Sequence, residues 1–342
     1  MSTVNVAVVG LGFMGITHIK AYRQIPNARL TAICDAIRLP VNGVLAAAGG
    51  NIGTDDAITF DMTQVKATKS LDEVLSDPGV DLVDICVPTL AHPKLSIAAL
   101  KAGKHVICEK PLARTAAAAR EIEQAAATAN GFFIPAMCIR FWPEYAWLKR
   151  AIDQKTYGKV LAARFRRVSE PPAWGREHFF DGAKSGGAIL DLHIHDADFV
   201  QFCFGRPKAV YAQGFSLYSG EIDHVIAQYQ VASGAAVSAE GGWVMTEGHG
   251  FEMSYNVIFE NATVDYNCTR GADGLRLFEK GQKPRTIAPE PGDGYLGELA
   301  YMIDCVANRR APTVVTARDG ASAVEICEAE GQSIRTGQIV GL

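Results

Sequence analysis

The chain has 342 residues, 48% of them hydrophobic and 20% charged, the composition of an ordinary globular protein rather than a disordered or fibrous one. That length exceeds the roughly 250–300 residues one core serves, so two domains are expected. With 33 basic and 37 acidic residues the formal charge is −4, and no basic stripe is present for a nucleic-acid partner.

No apolar run reaches membrane-spanning length. The N-terminus enters its first strand at once, which leaves no room for a signal peptide. The eight cysteines contain no C-x-x-C pair. Most lie in apolar runs and read as small buried thiols, which fits a cytoplasmic location.

Val4–Val9 is a short β-branched run and predicts a buried strand. It leads into Gly10-Leu11-Gly12-Phe13-Met14-Gly15 and then a helix over Ile16–Gln24. A second strand, Arg29–Cys34, ends at Asp35. In such a turn the first glycine permits the tight bend. The second admits a pyrophosphate, and the third lets helix and strand pack closely. The start of the helix offers N–H groups to the phosphates, so Gly10, Gly12, Phe13, Met14 and Gly15 are candidate cofactor contacts. Asp35 lies about 20 residues on, where a carboxylate accepts from the adenosine ribose hydroxyls and repels a 2′-phosphate. NAD is therefore favoured, while Arg38 keeps NADP in play. The competing reading is an ordinary βα turn in another doubly wound sheet.

A helix and a loop are expected after Asp35, followed by a short amphipathic piece over Leu71–Leu75. Val80–Val87 is a strand closing at Pro88-Thr89, and Pro93 starts the next helix. His105–Cys108 is a strand that ends at Glu109-Lys110-Pro111; an alanine-rich helix over Ala113–Thr128 follows. Phe132–Ile139 is again strand-like and delivers Arg140. Strands alternating with helices imply a parallel sheet with ligands at the strands' C-terminal ends, which puts Gly10–Gly15, Pro88-Thr89, Glu109-Lys110 and Arg140 around one crevice.

After about residue 150 the pattern changes. Val160–Val168, Ala209–Phe215, Val225–Val231, Ala235–Trp243, Glu252–Phe259 and Thr263–Cys268 are strand candidates, and Ser233-Gly234 and Glu260-Asn261 read as hairpin turns. The basic stretch Arg164–Arg167 reads as the wet face of its strand. One helix is expected over Gly187–Phe204, and two closing helices over Tyr295–Asn308 and Asp319–Arg335. The fold class is thus an α/β dinucleotide-binding domain over 1–130 plus an α+β domain over 131–317, whose large, mostly antiparallel sheet is covered by helices on one face. The last helix, about 318–338, is expected to return to the first domain.

Lys110 leaves a strand at the crevice, and Pro111 biases it toward extended backbone. A lysine there can donate a hydrogen bond to a reacting oxygen; the alternative is a solvated surface lysine. In Gly186-Gly187 to Asp198, Asp191 and His195 are four residues apart and share a helix face. A carboxylate beside an imidazole suits a general base near neutral pH. A polar face toward solvent or the partner domain explains the pair equally well. His193, His195, Asp196 and Asp198 are metal-ligand types, but two histidines at i and i+2 point apart on a helix, so no metal is expected. Trp174 is either a flat surface for a sugar ring or a core residue.

Gly10–Gly15, Glu109-Lys110-Pro111, Arg140-Phe141 with Pro143, and Gly186-Gly187 with Asp191 and His195 together resemble the Gfo/Idh/MocA oxidoreductases, relatives of inositol 2-dehydrogenase and glucose–fructose oxidoreductase, nearly end to end. The resemblance implies an N-terminal Rossmann domain, NAD or NADP, and a sugar, inositol or polyol substrate. It also implies a C-terminal open-faced sheet that forms homodimers or homotetramers. By position the family's catalytic lysine falls on Lys110 and its aspartate–histidine pair on Asp191 and His195. On that basis Pro88, Thr89, His92, Glu109 and Arg140 are assigned to the cofactor side, and Trp174 and His193 join the substrate contacts. Members commonly carry glycine where this chain has His193. An NADP-linked dehydrogenase of a non-sugar diol or carbonyl compound, or a regulator that senses NAD(P) without catalysis, would share the same fold.

Overall fold

A computed structural model describes residues 2–49 and 56–342. Two compact units divide the chain: residues 1–138 with 293–321, and 139–292 with 322–342.

In the first unit, β1 (Val4–Val9) leads into α1 (Phe13–Tyr22) and β2 (Ala28–Cys34). Here the expected helix after Asp35 gives way to a two-stranded hairpin, β3 (Val44–Leu45) and β4 (Ile58–Thr59), and no helix lies between Asp35 and Leu71 among the described residues. The cause is local. Pro40 supplies no N–H, and Asn42 and Gly43 both take positive φ (50° and 77°), so the chain turns instead of coiling.

β5 (Lys66–Thr68), α2 (Leu71–Leu75), β6 (Leu82–Ile85) and α3 (His92–Lys101) follow. They are succeeded by β7 (His105–Glu109), α4 (Ala116–Thr128) and β8 (Phe133–Ala136). The six strands form one sheet in the order β5-β2-β1-β6-β7-β8, and every pairing is parallel. Val6, Val8, Leu82, Val83, Ile85, Val106 and Ile107 have no exposed surface, each contributing about 1.5–3 kcal/mol by burial. Thr115 caps α4 by accepting from the Ala118 N–H.

The second unit begins with α5 (Pro143–Asp153) and β9 (Val160–Ser169), then two one-turn helices, α6 (Arg176–Phe179) and α7 (Gly182–Ser185). A π-helical turn over Ile189–His193 runs into α8 (Ile194–Phe204). Strands β10 (Ala209–Phe215), β11 (His224–Gln230), β12 (Ala236–Gly242), β13 (Phe251–Phe259), β14 (Ala262–Asn267), β15 (Leu275–Glu279) and β16 (Arg285–Thr286) follow. The closing helices are α9 (Gly294–Ala307) and α10 (Ala317–Thr336), and β17 (Val340–Gly341) ends the chain.

Nine strands form the second sheet, in the order β16-β15-β14-β13-β9-β12-β11-β10-β17; only β9 with β12 is parallel. One face is buried by helices. Tyr145 of α5 meets Phe199 of α8 and Tyr255 of β13 edge-on, with ring centroids 4.9 and 5.1 Å apart. The opposite face carries Arg166 between Glu240 and Glu252, and leaves Ile226, Ile258 and Phe278 at 50%, 42% and 42% exposure.

Two expectations are revised here. The return to the first unit is made by Asp293–Ala321, which includes α9, while α10 from Ser322 onward lies with the second unit. Arg167 is not on the wet face: it is buried with Ala163 and Phe165 of β9 and lies against Asp196, its Nε 2.7 Å from Oδ2. Six of the eight cysteines are buried, and burial pushes the Cys34 thiol up to about 11. Among the described residues no helix is long and apolar enough to cross a membrane.

Candidate active site

In the first unit the glycine turn follows β1, Pro88-Thr89 follows β6, and Lys110 follows β7, three strands adjacent in the sheet. Gly10 has φ +97°, and a Cβ there would stand 2.3 Å from the Cys86 carbonyl oxygen of β6's extension, so no other residue fits. A Cβ at Gly15 would fall 1.9 Å from the Gly10 oxygen. A Cβ at Gly12 would meet nothing within 4 Å, and no side chain caps α1. The turn is thus closed where it touches β6 and open beside the helix start, the shape a pyrophosphate requires.

Asp35 accepts the Leu11 N–H on Oδ2 (2.7 Å) and the Ile37 and Arg38 N–H groups on Oδ1 (2.8 and 2.9 Å). It therefore ties the end of β2 to the glycine turn, and any ribose hydroxyl shares it with three backbone donors. Arg38 donates to the Ala46 and Ala47 carbonyls.

Beneath this turn lies a polar cluster that the sequence reading missed. His18 of α1 is fully buried. Its Nδ1 donates to Asp84 Oδ2 at 2.8 Å, and its Nε2 is 3.2 Å from Glu109 Oε1 and 3.9 Å from Glu298 Oε1 of α9. Cys86 Sγ stands 3.4 Å from the same Nδ1. Burial opposes a charged ring, but the Asp84 carboxylate and its hydrogen bond outweigh it, and the His18 pKa is raised well above 6.5. Burial likewise raises the Glu298 carboxyl well above the usual range. One signal was available: Asp84 is a charged residue inside an otherwise apolar strand, which is costly unless paired.

Glu109 ends β7, and its Oε2 accepts the Lys110 N–H at 3.0 Å. Lys110 is half-buried, and its bond to Pro111 is cis. His92, assigned to the cofactor side, is 1% exposed and turned inward. Nδ1 is 2.8 Å from the Pro111 carbonyl oxygen and Nε2 2.8 Å from that of Val87, so it braces backbone rather than facing a ligand. Burial lowers its pKa, while the two carbonyls oppose that shift by favouring a ring with two N–H donors.

In the second unit Asp191 and His193 lie in the π-helical turn and His195 in the first turn of α8. Such turns occur often at functional sites. The geometry differs from the regular helix expected over Gly187–Phe204, although Asp191 and His195 remain about one turn apart. Gly186 and Gly187 take φ 88° and 72°. A Cβ at Gly187 would meet the Ile222 oxygen at 2.6 Å, so close packing on the 216–223 loop requires glycine there.

Two assignments change. Arg140 is 4% exposed and makes a bidentate pair with Asp198, 2.8 Å from Nε and 2.7 Å from Nη2, within the second unit. His193 has no exposed surface. Its Nε2 is 3.1 Å from Glu330 Oε2 of α10 and 3.3 Å from the Tyr229 hydroxyl, which itself donates to Glu330 at 2.6 Å. Its ring is a buried ion-pair partner rather than a surface for substrate. Trp174 is 43% exposed and packs edge-on against Phe179 at 4.7 Å.

A parallel sheet with a glycine turn open at its helix start, a carboxylate ending the second strand and a lysine ending a third defines a dinucleotide-dependent oxidoreductase. Residues 4–136 match the profile of an oxidoreductase family with an NAD-binding Rossmann fold, Gfo/Idh/MocA, and residues 145–265 match the C-terminal domain of the same family. The chain belongs to the Gfo/Idh/MocA oxidoreductases, NAD(P)-dependent enzymes acting on CH–OH groups.

The scyllo-inositol 2-dehydrogenase (NAD(+)) of Bacillus subtilis is 28% identical over 99% of this chain and 96% of its own length. Myo-inositol 2-dehydrogenase of Thermotoga maritima is 27% identical over 98% and 100%. Levoglucosan dehydrogenase of Pseudarthrobacter phenanthrenivorans is 31% identical over 62% of this chain and 54% of its own. A solved levoglucosan dehydrogenase in complex with NADH and L-sorbose superposes with a TM-score of 0.84 at 21% identity, covering 100% of this chain and 99% of that one.

Proposed function

We propose that this protein oxidises a secondary hydroxyl of a sugar, inositol or related polyol to a ketone, reversibly and with NAD preferred. The observation that carries the reading is the placement of Lys110 at the end of β7, in the same sheet as the open Gly12 turn and Asp35. The inositol and levoglucosan dehydrogenases among the relatives support the substrate class.

When bound, the nicotinamide supplies the hydride acceptor. His195 takes the proton of the hydroxyl. Lys110 donates a hydrogen bond to the same oxygen and stabilises its growing negative charge, a contact worth about 2.7–4 kcal/mol where such donors have been removed. Asp191 orients His195 or binds a neighbouring hydroxyl, and Glu109 sets the backbone of Lys110. For the cofactor, Gly10, Gly12, Phe13, Met14 and Gly15 would hold the phosphates and Asp35 the ribose, with Pro88 and Thr89 on the cofactor side. Trp174 lines the substrate side.

A narrower second reading, a dehydrogenase of a non-sugar diol, has one observation in its favour. Trans-1,2-dihydrobenzene-1,2-diol dehydrogenase of Xenopus laevis is 32% identical over 47% of this chain. The test is a panel of inositols, anhydrosugars, aldoses and aromatic diols with NAD and NADP, followed by absorbance of the reduced nicotinamide. Turnover of an inositol or sugar with NAD is expected; turnover confined to aromatic diols, or to none of the panel, would overturn the assignment.

A further inference from the structure

We propose that His18 and His92 are positioning residues for Lys110, fixing from opposite flanks the Glu109-Lys110-Pro111 backbone that carries it. The inference rests on reading Lys110 as the group that holds the reacting oxygen. A lysine side chain is a flexible four-carbon stem, so its aim depends on how firmly the main chain beneath it is held. Here three consecutive residues are held by polar contacts. Glu109 places Oε2 on the Lys110 N–H at 3.0 Å and Oε1 3.2 Å from His18 Nε2. His18 is anchored in turn by its 2.8 Å bond to Asp84. On the far side the Pro111 carbonyl meets His92 Nδ1 at 2.8 Å. The other nitrogen of that ring meets the Val87 carbonyl at 2.8 Å, joining the turn after β7 to the turn after β6.

The brace is sealed from water. His18 and Asp84 have no exposed surface, and His92 and Glu109 are 1% and 6% exposed. Around His18 the facing ionisable groups are Asp84 and Cys86 at the end of β6, Glu109 of β7, Glu298 and Tyr295 of α9, and Tyr22 of its own helix. Stability alone does not explain so many buried ionisable groups, because apolar side chains of similar volume hold a core at least as well. What the ionisable set adds is directionality: the bonds of His18 to Asp84, of the Lys110 N–H to Glu109 and of His92 to the two carbonyls each fix an angle as well as a distance. Near a reacting atom, displacement of about 1 Å can cost on the order of 100-fold in rate.

The experiment compares His92→Gln, His18→Gln and Asp84→Asn with Lys110→Met, and with each of these variants combined with Lys110→Met. Four quantities are read: melting temperature, NADH affinity by fluorescence, and kcat and KM with scyllo-inositol, myo-inositol or levoglucosan. The expected result for the positioning variants is a kcat lower by about 10- to 100-fold, with KM and NADH affinity within about two-fold of wild type. The double variants should be no slower than Lys110→Met alone, because the histidines act only through the lysine. Should His18→Gln not fold, His92→Gln and Asp84→Asn carry the comparison. Losses that multiply in the double variants, or lower melting temperatures with kcat intact, would overturn the positioning role while leaving Lys110 in place. A Lys110→Met enzyme with wild-type turnover would overturn the underlying reading as well.

Discussion

Both oxygens of Asp35 accept backbone N–H groups, and the proposed function gives the same carboxylate the adenosine ribose, so one side chain would both shape the turn and select the nucleotide. Replacing it with serine removes the charge that repels a 2′-phosphate. The NADP-to-NAD ratio of kcat/KM should rise about 10-fold or more, since bonds to charged groups are worth about 1.5–3 kcal/mol. An unchanged ratio in a folded variant would refute that role. Gly10 is stricter. Alanine there takes φ +97° and drives its methyl into the Cys86 carbonyl. A loss of about 1–3 kcal/mol is expected, measured by denaturant unfolding, together with loss of NADH binding. Stability within 0.5 kcal/mol of wild type, roughly the scatter of neutral surface changes, would contradict the packing argument.

At the scale of the element, the π-helical turn that presents Asp191 leads straight into His195, and His193 is its internal anchor. Removing the imidazole leaves the Glu330 carboxylate buried without its ionic partner, so His193→Ala should destabilise the protein by about 3–5 kcal/mol at neutral pH or below. Burial lowers the pKa of this ring, but Glu330 raises it more, and the net shift is upward from 6.5. Because the folded-state value is the higher one, the pair's contribution is complete below about pH 6.5 and is lost as pH rises through the folded value. The gap in melting temperature between wild type and His193→Ala should therefore narrow from pH 6 to pH 9. A gap that widens over that range would show that the imidazolium is not the form that matters. The regular elements were legible in the sequence for a simple reason: periodic apolar patterns and the glycine turn are local. The π-turn and the buried pairs of His18 and His193 were not, because each depends on partners far along the chain, from Asp84 and Glu298 for the one to Glu330 for the other. The partner of Arg140 was hidden for the same reason: Asp198, 58 residues on, holds its guanidinium.

For the molecule as a whole, the nine-stranded sheet leaves one face without helices, and Ile226, Ile258 and Phe278 stand exposed on it beside the Arg166 ion pairs. An apolar patch on a broad sheet face favours self-association. Homodimers or homotetramers through this face are therefore proposed, and Ile226→Lys with Ile258→Lys should shift the species in sedimentation toward monomer; an unchanged distribution would place the interface elsewhere. The two compact units also bear on catalysis, since Lys110 belongs to the first and Asp191 and His195 to the second. The proposed chemistry requires that both units serve one hydroxyl. A crystal structure with NADH and the polyol selected by the panel measures this directly. Lys110 Nζ and a His195 ring nitrogen are expected each within about 2.6–3.2 Å of the same substrate oxygen. A substrate held by one of them, with the other facing a separate cavity, would contradict the proposed chemistry.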